Sequence, residues 1–502
     1  MTQFPAVDGF SKIYAAHRPQ VVWTELVADL ETPVSAMLKL AAGQRYSFLL
    51  ESVEGGAVRG RYSVLGFDPD LIWRCFGERA EVARVAAGEP GEYQACADSS
   101  LEALASLIAD SQIDLPDGVP PSAVGVFGYM SYDMVRLMER LPDANPDVIA
   151  IPDAIFIRPM VTAVFDNVAD KITVVTPVWP DPEIDAEAAY AAAGARLDAV
   201  VARLDRSVPG GPLASSEAPD LAAPVSNTTR AGYHAMVERA KEYIRAGDIF
   251  QVVPSQRFSL PLTVPPMALY RALRRLNPSP FLFIVNMDGF SLVGSSPEIL
   301  VRLRDDTVTV RPIAGTRPRG ATPAEDEALA EELLADPKEQ AEHLMLLDLG
   351  RNDVGRVAEI GTVEVTESYK IERYSHVMHI VSNVQGRVKS TVTALQALIA
   401  GFPAGTVSGA PKIRAMEIID ELESERRSFY AGTVGYFGAN GDMDTCITLR
   451  TALVKDGIMY VQAGGGVVAD SDPEAEYQES QNKAKALLRA AAEAQRYANI
   501  SG

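Results

Sequence analysis

Residues 335–356 read ADPKEQAEHLMLLDLGRNDVGR, and the rest of the chain is organised around them. Asp336 followed by Pro337 signals a helix start: a capping acid, then a proline whose missing N–H costs nothing in the first turn. Glu339 and Glu342, three residues apart, project from one face of the opening turns. An apolar run, Leu344 to Leu347 with Leu349 beyond it, carries the helix onward, and Gly350 predicts its end. Taken alone, Glu339 reads as a capping-box acid and Glu342 as a solvated charge. A second stretch shifts that balance. Ser471-Asp472-Pro473 opens another helix, with Glu476 and Glu479 again three apart and Lys483 one turn later. Two helices that start alike and each carry an acid pair suit the two walls of a hard-cation site. Mg2+ fits best, since it takes one or two carboxylates and keeps water or ligand oxygens in its other positions.

Around these helices the pattern alternates between helical and extended segments without strict β–α repetition. Strands are expected at 46–52, 61–65, 123–129, two within 155–178, 249–260, antiparallel strands across 281–310, and at 362–369, 375–388, 434–438, 446–454 and 458–462. Asp166-Asn167, Asp288-Gly289 and Asp305-Asp306 mark hairpin turns. Helices are expected at 33–41, 101–108, 185–204, 229–246, 393–399 and from Lys412. Strands in runs predict an α+β fold of two domains, with antiparallel sheets forming a sandwich-like core surrounded by helices and the active site in a cleft. The stretch SVPGGPLASSEAPDLAAPVS at 207–226 reads as a linker. It divides an N-terminal domain, 1–206, from a catalytic domain, 227–502.

Composition narrows the class. The 502 residues carry 67 acids against 46 bases, a net charge of −21, so nucleic acid is not an expected partner. The three cysteines, Cys75, Cys96 and Cys446, show no CxxC spacing, which argues against a disulfide framework or a zinc site. No run approaches the length of a membrane helix and no signal peptide is evident, so a cytoplasmic protein is expected.

Further motifs each have a plain reading beside a chemical one. PAGTVSGAPK at 403–412 leads into a helix and is either an anion site or a tight turn; it lacks the Walker pattern. Gln462-Ala463-Gly464-Gly465-Gly466 lets backbone N–H groups approach a ligand, or is a strand-to-loop turn. Arg450 is suited to a carboxylate, though a lone Arg is more often a surface ion pair. His376 and His379 fall on opposite faces of a strand and cannot chelate one ion together. No nucleophile elbow and no G-x-G-x-x-G after a strand occurs.

With these stretches in hand the chain resembles the chorismate-utilising enzymes, most closely the large subunits of anthranilate synthases. IFQVVP at 249–254, PIAGT at 312–316, EHLMLLDLGRND at 342–353, YSHVMH at 374–379, GTVSGAPK at 405–412 and QAGGG at 462–466 carry the resemblance. LLES at 49–52 and NPSPF at 277–281 resemble the tryptophan feedback site.

The resemblance implies roles. Glu342 and Glu479 are the expected Mg2+ ligands, with Glu339 and Glu476 beside them. Gly315, Thr316, Tyr430, Arg450, Gly464, Gly465, Gly466 and Lys483 are the expected chorismate-binding residues. Glu339, His379 and Thr406 are the expected catalytic ones: Glu339 as general acid for the departing hydroxyl, His379 in the loss of pyruvate. Leu50, Glu51, Ser52, Asn277, Pro278, Ser279, Pro280, Phe281, Val434 and Tyr436 form the expected tryptophan site, with Phe281 where relatives often have Tyr. The implied reaction adds ammonia to chorismate and loses water, giving aminodeoxyisochorismate, then eliminates pyruvate to leave anthranilate. Water-adding relatives carry a Lys base where this chain has Gln251, and aminodeoxychorismate synthases a Lys where it has Ala314. No amidotransferase elbow surrounds any cysteine, so ammonia from glutamine implies a separate amidotransferase subunit, in a heterotetramer of two large and two small chains. A synthase that stops at aminodeoxyisochorismate and a catalytically inactive regulatory homologue are the two other readings.

Overall fold

The computed structural model describes residues 2–54, 58–86, 88–209, 222–374 and 377–497. Its architecture is α+β: two large antiparallel sheets with helices on their outer faces. The long strands Val58–Phe76 and Ala154–Asp166 run side by side and belong to both sheets. From their one end, the first sheet spreads through Lys171–Val178 and Gln20–Val27 on one side. On the other side it continues through Ser47–Glu54, Phe281–Asn286, Phe290–Ser296, Thr451–Lys455, Ile458–Gly464 and Ser255–Pro261. The second sheet spreads from the other end of the long pair through Gly125–Met130, Thr433–Gly438, Met443–Ile447, Ile299–Arg304, Thr307–Val310 and Val377–Arg387. Ile313–Pro318 and Glu364–Arg373 flank that last strand. No pairing among the described residues closes either sheet into a barrel.

Strands from before and after residues 207–226 therefore interleave in both sheets. Of that stretch, 210–221 lies outside the described residues, and Val225–Ser226 adds to the edge of Ser255–Pro261.

The inner faces of the two sheets meet across a core that includes Phe48, Phe127, Phe283, Val434, Tyr436 and Leu453. Phe48 of the first sheet stacks on Phe127 of the second at 4.4 Å, and Phe127 on Tyr436 at 5.3 Å. Outside the first sheet lie the helices Val7–Ala15, Pro33–Leu40, Ala186–Leu204, Pro266–Leu276 and Pro473–Ala494. Outside the second lie Ser100–Asp110, Pro337–Val357 and Ala394–Gly401. Each outer layer buries one apolar helix stripe on one sheet face, the basic α+β solution.

Most turns agree with their sequence signals. Asp305 and Asp306 both take positive φ in the expected hairpin, and Gly247 ends its helix in the left-handed region. Three readings need correction. The helix expected to stop at Gly350 runs to Val357, because Gly350 faces Val310 and Pro312 and the apolar face continues through Val354. The strand expected at 249–260 is two, Gln251–Val252 and Ser255–Pro261, with Pro254, which has no N–H for a ladder, at the break. The strand expected at 446–454 is also two, with Arg450 at φ 48° between them. No helix among the described residues is long and apolar enough to cross a membrane.

Candidate functional site

The acid-bearing helices begin as their sequences indicate. Asp336 Oδ1 accepts from the N–H groups of Lys338 and Glu339, and Asp472 Oδ1 from that of Ala475. Both helix starts face the glycine stretch that ends strand Ile458–Gly464. A Cβ on Gly465 would stand 2.6 Å from Glu476 Oε2, and one on Gly466 would stand 2.4 Å from Gln251 Nε2. Only glycine lets these side chains lie so close to the backbone.

The four acids share one electrostatic environment. Gln251 Nε2 donates to Glu342 Oε1 at 3.0 Å. Burial pushes the Glu342 carboxyl up, and the charges of Glu339 and Glu479 add to that, while the Gln251 hydrogen bond and Lys483 oppose it. Glu339 Oε1 pairs with Arg317 at 3.1 Å, and its Oε2 lies over Gly315. Glu476 accepts from Ser471 Oγ at 2.7 Å through Oε1, whereas its buried Oε2 has no partner among the described residues. Glu479 pairs with Lys483 at 2.6 Å, and the same ammonium donates to the Gly464 carbonyl at 3.0 Å.

These residues suit a Mg2+ ion. A buried unpartnered carboxylate oxygen and mutually repelling acids both favour an added cation. No group of three or more His, Cys, Asp or Glu side chains converges among the described residues, so an all-protein cage of the zinc kind is not built here. Mg2+ commonly takes one or two carboxylates and fills its other positions with water or ligand oxygens.

A second cluster lies beside the first. Thr406, in the short 3-10 helix Gly405–Val407, donates from Oγ1 to both oxygens of Glu298 at 3.1 Å. Glu298 is buried, and burial pushes its carboxyl up to about 8 despite Thr406, the Ile313 N–H and the positive charge of Arg450. Arg450 forms no ion pair within 4 Å among the described residues, and burial lowers its pKa. Its left-handed backbone, rare for a side chain of this size, is of the kind held at functional sites by surrounding structure.

His379 Nδ1 stands 2.9 Å from the Gly315 carbonyl and 3.1 Å from Thr316 Oγ1. That carbonyl fixes the proton on Nδ1 and leaves Nε2 as acceptor. Burial and the charge of Arg450 push His379 down to about 4, so it is neutral near pH 7. Tyr430 is buried, its hydroxyl pushed up to about 12 by burial while the Gly464 N–H pulls it down. His376 lies outside the described residues.

The structure thus brings Glu339, Glu342, Glu476, Glu479, Lys483, Gly315 and Gly464 to Gly466 together, and sets Thr406, His379, Thr316 and Arg450 beside them. Three participants were not singled out from sequence. Glu298 is an acid between the buried runs FSLVGSS and ILVRLR, where a charge has no solvent to face; that is its only sequence signal. Arg317 clamps Glu339, and Tyr374 contributes a ring 5.5 Å from that of His379. Lys412, considered for an anion site, is committed to Asp353 at 2.9 and 3.0 Å.

Of the residues expected at a regulatory site, Leu50, Phe281, Val434 and Tyr436 lie at the inter-sheet core, while Glu51 faces the outer helix Pro266–Leu276. Phe281 pairs with Ser52 and Leu282 with Glu51 across adjacent strands. Leu50, Phe281, Val434 and Tyr436 all adjoin or enter the core between the sheets. Glu51 is held by Arg274 at 2.6 and 2.9 Å and by the Tyr270 hydroxyl. Ser295 Oγ donates to the Asn277 carbonyl, Ser279 is buried, and the buried Asn277 Nδ2 has no partner among the described residues. Pro278 and Pro280 are half-buried on either side of Ser279.

Known proteins resemble the chain over its whole length. Residues 64–489 match the chorismate binding enzyme family. The chain is 58% identical over 502 residues to the anthranilate synthase component 1 of Cereibacter sphaeroides, covering 100% of both chains. It is 49% identical to that of Thermus thermophilus over 92% of this chain and 96% of the other. The crystal structure of anthranilate synthase component I from Streptococcus pneumoniae superposes with a TM-score of 0.73 at 36% identity, covering 92% of this chain and 99% of that one. The menaquinone-specific isochorismate synthase from Escherichia coli shares the fold, with a TM-score of 0.71 at 19% identity over 97% and 99% of the two chains. By site, fold and full-length identity, the chain belongs to the chorismate binding enzyme family, among the large, chorismate-binding subunits named anthranilate synthase component 1.

Proposed function

We propose that this chain converts chorismate and ammonia to anthranilate and pyruvate through aminodeoxyisochorismate, a lyase reaction that depends on Mg2+ and is inhibited by tryptophan. The observation that supports it most is the Gln251–Glu342 hydrogen bond at 3.0 Å. An amide that cannot take up a proton stands where water-adding relatives carry a Lys base. Water is a poor nucleophile that needs such a base to attack, whereas neutral ammonia is nucleophilic enough without one.

Glu342 and Glu479, with Glu476 adjacent, would hold the Mg2+, which when bound supplies countercharge to the ring carboxylate of chorismate. Arg450, whose guanidinium has no ion pair among the described residues, would grip a substrate carboxylate, and Tyr430 and the backbone of Gly464 to Gly466 would orient the same end. Ammonia adds to the ring and the hydroxyl leaves as water. Glu298 is the better-placed general acid for that step, because it carries a proton at neutral pH and Arg317 ties Glu339 into an ion pair. In the second step the ring loses a proton as the enolpyruvyl group departs, and His379 Nε2 is the neutral acceptor.

Ammonia comes from glutamine through a separate amidotransferase subunit, and a heterotetramer of two large and two small chains in the cytoplasm completes the reading. The word component in the relatives' names supports a partner chain. Burial pushes the Cys75 thiol up to about 12, unlike the thiolate an amidotransferase needs. Tryptophan inhibition is supported by the meeting of Leu50, Ser52, Phe281, Val434 and Tyr436 at the inter-sheet core and by the unpartnered Asn277 amide.

Chromatography of the products tests the reaction. One anthranilate and one pyruvate per chorismate consumed is the expected result. Accumulation of aminodeoxyisochorismate without pyruvate would sink the second step.

A further inference from the structure

We propose that Lys483 competes with the divalent cation for Glu479, and that metal binding releases its ammonium to a carboxylate of the substrate. The proposal rests on the reading of Glu342 and Glu479 as cation ligands.

Each of the four acids has its own partner, and those partners differ in how easily they leave. Glu339 is held by Arg317, which also binds Glu332 at 3.0 Å, Asp336 at 2.8 Å and the Thr316 carbonyl at 3.1 Å. Releasing Glu339 would uncover several groups at once. Glu342 and Glu476 are held by neutral donors, Gln251 and Ser471, which leave their charge available to a metal. Glu479 differs: its partner is a full positive charge, 2.6 Å away and one turn along the same helix.

That pair is built to open. The side chains of Lys483 and Glu479 are 45% and 50% exposed, so a change of rotamer moves the ammonium into water without disturbing the core. Lysine is a hydrated point charge on a flexible stem, easier to detach than a forked guanidinium. Its charge also reaches Glu342, Glu476 and His379, which puts it centrally among the acids and the reacting groups. A doubly charged ion on Glu342 and Glu479 would repel an ammonium on the same carboxylate. The other contact of Lys483 is the Gly464 carbonyl, at the start of the glycine stretch expected to orient the substrate. Once displaced, the ammonium is already next to where a substrate carboxylate arrives. Metal and chorismate should therefore bind cooperatively, each removing a competitor of the other.

Mn2+ titrated into the full-length chain, with free ion followed by electron paramagnetic resonance, tests this with and without chorismate. The wild type should bind Mn2+ weakly alone and at least tenfold more tightly with chorismate. Lys483→Met and Lys483→Gln should bind Mn2+ alone at least tenfold more tightly than the wild type and lose most of the chorismate effect. Lys483→Arg, which keeps the charge on a guanidinium that is harder to detach, should bind Mn2+ alone no more tightly than the wild type. Equal or weaker Mn2+ binding by both neutral variants, with unchanged thermal unfolding, overturns the proposal. Glu342→Gln and Glu479→Gln are the separate check: if both bind Mn2+ as the wild type does, the cation-site reading itself fails.

Discussion

Glu298 holds its proton at neutral pH because burial leaves its carboxyl only Thr406, one amide and the distant charge of Arg450 for company. If it is the general acid, Glu298→Gln should lower kcat by about 10²- to 10⁴-fold with ammonia as nucleophile. Linkage gives a second readout. The folded carboxyl titrates near 8 against an ordinary 4.5, so its contribution to stability is full below the unfolded value and is lost as pH rises through about 8. Urea unfolding should show Glu298→Gln gaining on the wild type between pH 5 and 9; a constant gap would contradict the assignment. For Glu342→Gln and Glu479→Gln, loss of activity with an unchanged unfolding temperature is expected, and near-normal turnover in either would refute the metal assignment. The acid pairs were legible because capping signals and helical spacing are local. Glu298 was not, since its meaning comes from Thr406 and Arg450, both more than a hundred residues away in sequence.

Helices and loops around the site are tied together by one buried side chain. Arg427 pairs with Glu423 at 2.6 Å and donates to the carbonyls of Val407 and Val253, in the loops that carry Thr406 and Gln251. Arg427→Met should cost about 3–5 kcal/mol, because it leaves Glu423 buried and unpaired, and urea denaturation measures it. A loss below about 1 kcal/mol would mean that the loops stand without it. At this scale the sequence misled wherever tertiary packing overrode a local stop. Gly350 looked like a helix end, yet it faces Val310 and Pro312 within a helix that continues to Val357. Arg450 looked like part of a continuous strand, yet its positive φ divides two. The regulatory strands yield a prediction of their own. Ser52 lies on the strand opposite Phe281, so Ser52→Ala should leave kcat intact and weaken tryptophan inhibition several-fold. Glu51→Ala should relieve inhibition as well, but at some cost in stability through the unpaired Arg274. Unchanged inhibition in both variants would remove the regulatory assignment.

Across the whole molecule, two sheets share two long strands, and the residues proposed for catalysis come from both. Arg450 and the glycine stretch adjoin strands of the first sheet, while Glu298, Thr316 and His379 belong to or adjoin strands of the second. Leu50, Phe281, Val434 and Tyr436 of the proposed regulatory site line the core between the same sheets. A ligand wedged between the sheets is therefore in a position to change how the two sets of catalytic residues meet. Local periodicity gave the α+β class and most strands. It could not give this arrangement, because pairings such as Ser52 with Phe281 or Met130 with Thr433 join residues hundreds of positions apart. The most direct test is anthranilate fluorescence from the purified chain with chorismate and ammonium at alkaline pH, with and without Mg2+ and tryptophan. Fluorescence that requires Mg2+ and falls with tryptophan is the predicted result. Chorismate left unconsumed with Mg2+ and ammonium present would contradict the account.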